Sequence, residues 1–138
     1  VPPGVNFGYD VMVYAGQAIW LRCRNEEEVV AELAQKNVQI SLREVSLLSM
    51  KFIVYLALAH QRRAPALHDD MQTRGGYICH LDATCEGGDP FLMSSIDSLS
   101  NIVLGNVKLP AENEAHIEPF LERLKQTFGI PLALVHDM

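Results

Sequence analysis

The stretch GGYICHLDATCEGG, residues 75–88, decides how the chain is read. Two glycine pairs bracket a run whose Tyr77, Ile78, Cys79 and Leu81 suit a buried strand. Asp82 breaks that pattern near its end. A lone buried carboxylate costs several kcal/mol (order of magnitude) unless something pairs with it. Alternation along a strand puts Cys79 on one face and Asp82 on the other, with His80 beside Asp82.

Short strands follow. CEGGDP is a turn, FLMSSID (91–97) a second strand, DSLS a tight turn and NIVLGNVKL (101–109) a third strand ended by Pro110. The segment 111–129 reads as a helix, with Ile117, Phe120, Leu121, Leu124 and Phe128 on one side. Pro119 should kink or restart it, and Gly129 followed by Pro131 ends it. PLALVHDM then forms a fourth strand. Short turns make strands one to three an antiparallel meander. The helical crossover returns strand four parallel to strand one, giving the order 3-2-1-4. Asp82 and Asp137 then lie at the C-terminal ends of parallel neighbours, about 4.8 Å apart in strand spacing. Two such carboxylates repel unless a proton or cation sits between them, and a hard divalent ion is the natural partner.

Working back toward the N-terminus, YDVMVYAGQAIWLRCR (9–24) alternates around Ala15-Gly16 and reads as a β-hairpin. Asn25 and Glu28 have capping-box spacing at the start of a helix over 25–37. Ser41 and Glu44 repeat that signal before a helix from Leu42 to about His60. The second half of that helix is apolar all round, as in a helix buried on several sides. Residues 61–76 read as a polar linker with a short helical piece, so the domain boundary falls at about residue 75. Residues 1–75 are then a hairpin plus a helix-turn-helix-like module, suited either to DNA contact or to subunit packing. Trp20 and the tyrosines fit a hairpin packed on helices.

With 138 residues, 49% hydrophobic and 20% charged, the chain should fold as one or two small units. No apolar run is long enough to span a membrane. Cys23, Cys79 and Cys85 form no CxxC pair, which argues against structural zinc and for reduced thiols. The formal charge of −6 resides in residues 76–138, a poor composition for a nonspecific nucleic-acid clamp but compatible with a site that gathers divalent cations.

The order of these features resembles the first half of the catalytic core of DDE transposases and retroviral-type integrases. Asp82 matches the first catalytic aspartate, Asp97 and Ser100 the hairpin Asp-x-x-Ser, Phe128, Gly129 and Pro131 the helix exit, and Asp137 the second catalytic aspartate. The match covers residues 75–138; residues 1–75 fit the helix-turn-helix region that precedes the core in bacterial insertion-sequence transposases. The resemblance implies an α/β (α+β) chain whose residues 76–138 are a truncated ribonuclease H-like core. It implies a polynucleotidyl transferase in which Asp82 and Asp137 hold two Mg²⁺ or Mn²⁺ ions for DNA nicking and strand transfer in recombination. It also implies transposon ends and target DNA as partners, a homo-oligomer when intact, and a bacterial cytoplasmic, nucleoid-associated location. The family's third carboxylate, a glutamate on a later helix, would lie beyond Met138. This chain is therefore expected to be a fragment, inactive alone. The alternatives are another ribonuclease H-like nuclease and a noncatalytic DNA-binding or assembly module.

Several other residues have simpler readings. Asp97 is expected to form the turn between strands two and three, at the far end of the sheet from Asp82. Glu86 and Asp89 read as turn polarity or as groups around the site. His80 and His136 read as hydrogen-bonded strand residues rather than metal ligands, and Thr84 as a minor support of the site.

Overall fold

The structure is a computed structural model that describes residues 1–136 except Glu86 and Asp89. Its described residues form four helices and one four-stranded sheet, in the order α1 (Tyr9–Trp20), α2 (Glu26–Gln35), α3 (Leu42–Thr73), β1 (Ile78–Thr84), β2 (Phe91–Asp97), β3 (Val103–Leu109), α4 (Glu114–Phe128) and β4 (Ala133–His136). The chain is thus a mixed α/β protein with an open sheet. It divides into two compact units, Val1–Arg62 and Arg63–Met138, each with its own core. The division falls inside α3, ahead of the boundary near residue 75 that composition suggested. Among the described residues no helix is long and apolar enough to cross a membrane.

The first unit corrects the hairpin. Residues 9–20 are helical, and the buried set Met12, Ala15, Gly16 and Ala18 repeats at helical spacing. Gly16 is no turn residue. A Cβ built on it would collide with the Phe52 ring, so its missing side chain lets α1 press against α3. Trp20 closes the helix, and its indole donates to the Ser49 carbonyl at 3.1 Å.

Both helix starts are as the sequence indicated. Asn25 and Glu28 complete a reciprocal capping box on α2. Ser41 and Glu44 do the same for α3, with Glu44 accepting from the Ser41 backbone at 3.1 Å and returning an N–H to its hydroxyl at 3.2 Å. Asn37 takes a φ of 61° in the turn between the two helices, where Val38 N–H reaches back to the Leu33 carbonyl. Val29, Leu33, Val45, Leu48 and Phe52 join Met12, Ala15 and Ala18 in this core.

The expected linker over 61–76 is also corrected, because α3 continues through Pro65 to Thr73. A proline removes one backbone donor and crowds the preceding turn. Here Ala64, Leu67 and Met71 pack on the second core, and that burial outweighs the loss. The helix stops only where Gly75 and Gly76 adopt φ of 98° and 116°.

The sheet has the order β3-β2-β1-β4. β1–β2 and β2–β3 are antiparallel, and β1–β4 is parallel. The inner face carries Cys79 and Leu81 of β1 and Met93, Ser95 and Asp97 of β2, all buried. Phe120, Leu124 and Phe128 of α4 cover that face together with the end of α3. Gly105 of β3 faces Leu124 and Phe120, where a Cβ would come within 3.3 Å and 3.4 Å of them. Pro119 neither ends nor restarts α4, which runs unbroken from an Asn113 cap to Gly129. Tyr77 stands before β1, and its hydroxyl donates to the Gly129 carbonyl at 2.6 Å. Burial first, then the nearby Cys79 and Asp97, push its phenol up to about 12.

Candidate functional site at the end of the central strand

Asp82 is exposed. It occupies the outward phase of β1, cross-strand from Ser94, while its neighbours Leu81 and Ala83 turn inward. The apparent misfit in an apolar strand is therefore a consequence of period-two alternation: the carboxylate never enters the core. Among the described residues it has no hydrogen-bond or ion-pair partner.

Asp82 lies on the rim of a cleft of about 390 Å³ at the C-terminal end of β1. Leu81, Met93, Ile117, Leu121 and Leu134 make its apolar wall, and Glu112 and His136 join Asp82 as its polar groups. The parallel register pairs Leu81 with His136. Those two residues immediately precede Asp82 and Asp137 in sequence. Asp137 itself lies outside the described residues, as do Glu86 and Asp89.

Sequence reasoning did not single out Glu112, although its position was inferable. β3 is antiparallel to β2, which is antiparallel to β1, so β3 and β1 end at the same sheet edge. Glu112 follows β3 in the connection to α4 and arrives beside Asp82 for that reason. The two histidines separate. His136 pairs with inward Leu81 and lines the cleft, whereas His80 pairs with Val135 and shares the outward face with Asp82. Thr84 is exposed at the end of β1. No three His, Cys, Asp or Glu side chains converge on one point among the described residues.

Asp97 sits at the other end of the sheet and is only 1% exposed. One carboxylate oxygen accepts the backbone N–H groups of Ile78 and Leu99, each at 3.1 Å. The other accepts the Ser100 hydroxyl at 2.5 Å and its N–H at 3.2 Å. Burial is the largest single influence and raises its pKa. The Ser100 hydroxyl and the three backbone donors together outweigh it and hold Asp97 below the ordinary carboxylate value. Asp97 forms the β2–β3 turn, as expected, and also fastens the start of β1 to it.

The buried Cys79 thiol is pushed up by burial, against a hydrogen bond with Ser95 at 3.1 Å. A thiol so placed is a packing group rather than a nucleophile. No protein-family model, curated protein or solved structure matches this chain.

Proposed function

We propose that the sheet edge at Asp82 is a divalent-cation site of a ribonuclease H-like DNA transposase core. The observation that carries this reading is an exposed carboxylate on an inner strand, without a partner among the described residues, beside a parallel strand whose last described residue pairs with Leu81.

The residues suit Mg²⁺ or Mn²⁺ in kind. Such ions are held by one or two carboxylates and keep several waters, so three converging protein ligands are not required. Asp82 and Asp137 would hold the cation, with Glu112 and His136 across the cleft. A bound divalent ion supplies Lewis acidity to a phosphodiester and to the oxygen that attacks it. The chain's own part is to fix Asp82: its backbone pairs with Ser94 of β2, and Leu81 just before it pairs on both sides, with Ser95 of β2 and His136 of β4. The reaction served is attack of water at a transposon end, followed by attack of the freed 3′-hydroxyl on target DNA. DNA is then the partner of the intact protein, which acts as a self-associated assembly in the bacterial cytoplasm.

A second reading gives this sheet no metal. It is a noncatalytic assembly module on the same fold. Titration of Mn²⁺ into the chain, its Asp82→Ala variant and its Asp137→Ala variant separates the two. Each variant is expected to lose at least about tenfold in affinity, the lower end of the effect of disturbing a metal's surroundings. Equal affinities in all three chains would remove the cation site and leave the assembly reading.

A further inference from the structure

The long helix α3 is apolar on two sides within the unit Val1–Arg62, and only one side is used. Val45, Leu48 and Phe52 enter the core. On the opposite side Leu47, Met50, Val54 and Leu58 are 43%, 58%, 59% and 46% exposed, and Ala57 is exposed with them. At helical pitch these five fall within an arc of about 100°, the width of a core-facing stripe. The arc carries no charge between Arg43 and Gln61. The nearest lysine, Lys51, lies to one side and donates to the Pro3 carbonyl at 2.7 Å. The helix was expected to be buried on several sides; this stripe is left open, and Ile53 and Leu56 are exposed outside it.

We infer that two copies of the chain pair through this stripe, with their α3 helices antiparallel across a two-fold axis at the level of Phe52. The spacing itself argues for a second copy. Leu47, Met50, Val54 and Ala57 are separated by 3, 4 and 3 residues, which reads the same in both directions. In an antiparallel pair Leu47 of one copy meets Ala57 of the other, and Met50 meets Val54, so large residues face small ones. The surface is self-complementary, as a closed two-fold interface requires. Charge selects the same orientation. The antiparallel register sets Arg43 opposite Gln61, whereas a parallel pair would set Arg43 against Arg43. The five residues expose on the order of 400 Å² per copy, so with a polar rim the pair buries about 1,000 Å² in total, the low end for a specific interface. The dimer is accordingly weak and concentration-dependent. It stands on the first unit alone, so it can fail without touching the chemistry proposed at Asp82.

Sedimentation velocity of the whole chain from about 1 to 200 μM tests it. The expected result is a monomer–dimer equilibrium with a dissociation constant of roughly 10 μM. Met50→Glu and Val54→Lys should stay monomeric throughout while keeping the parent's circular dichroism, because both positions are solvent-facing. Register is read by disulfide trapping in a Cys23→Ser, Cys85→Ser background. Met50→Cys and Val54→Cys chains should cross-link to each other faster than either does to itself. A monomer at every concentration, a dimer indifferent to both charged variants, or preferential self-trapping of Met50→Cys would each overturn the proposal.

Discussion

Asp97 shows what a single side chain does to this sheet. Its carboxylate accepts hydrogen bonds from two parts of the fold: the Ile78 N–H at the start of β1, and Leu99 and Ser100 in the β2–β3 turn. Asp97→Asn leaves size unchanged but replaces one acceptor with an NH₂ that confronts the Ser100 N–H. The expected cost is about 2–3 kcal/mol, that of leaving a buried donor unmatched to a charged acceptor. Urea unfolding at neutral pH measures it. The sign of the pH dependence follows from the lowered pKa. A carboxylate more acidic folded than unfolded stabilises above its unfolded pKa, about 3.9 for aspartate, and that contribution fades as pH falls toward the folded value. The wild-type stability curve should therefore drop more steeply below about pH 4 than that of Asp97→Asn. Parallel curves would show that the charge on Asp97 is not what holds the turn. The motif Asp97-x-x-Ser100 was legible as a turn. Its link to Ile78 was not, since it joins residues brought together only by strand pairing. For Asp82 the alternation with Cys79 already indicated the outward face, so the cost of burial that made it look anomalous never arises.

At the scale of elements, the errors lie where two periodicities compete. Residues 9–24 contain enough alternation to pass for a hairpin, and Ala15-Gly16 looks like its turn. What decides for a helix is a partner distant in sequence: Phe52 of α3 needs the space that Gly16 leaves. An exposed helical glycine gains about 1 kcal/mol when changed to alanine. At Gly16 the new methyl would collide with Phe52, and overpacking of this kind costs about 1–3 kcal/mol. Gly16→Ala is expected to destabilise the chain, and adding Phe52→Ala should recover part of the loss in a double-mutant cycle. A stabilised Gly16→Ala chain would contradict the helix packing. Pro65 misled in the same way, because a local breaker was outweighed by burial of Ala64 and Met71 on a core formed by residues far along the chain. The capping boxes at Asn25 and Ser41 were readable because every group in them lies within three residues. The strand order was readable too. Short turns and one crossover helix leave few ways to arrange four strands.

Across the whole molecule, the two hydrophobic cores share no residue. Each unit's stability therefore rests on its own buried set, and a single cooperative transition is not required. Leu48 is fully buried in the first core. Truncating such a leucine to alanine costs about 2–5 kcal/mol. The only tryptophan, Trp20, belongs to that unit and reports its unfolding by fluorescence. Leu48→Ala is expected to move the Trp20 transition to lower urea while amide exchange across β1, β2 and β3 keeps its protection. If protection of the three strands falls by the same free energy as the tryptophan transition, the cores unfold as one. α3 would then be more than a covalent connection, because it contributes Leu48 to the first core and Met71 to the second and would transmit the loss from one to the other. If the strands are unmoved, residues 63–138 hold the Asp82 edge by their own packing, and variants of the first unit can be used to test self-association without disturbing that edge.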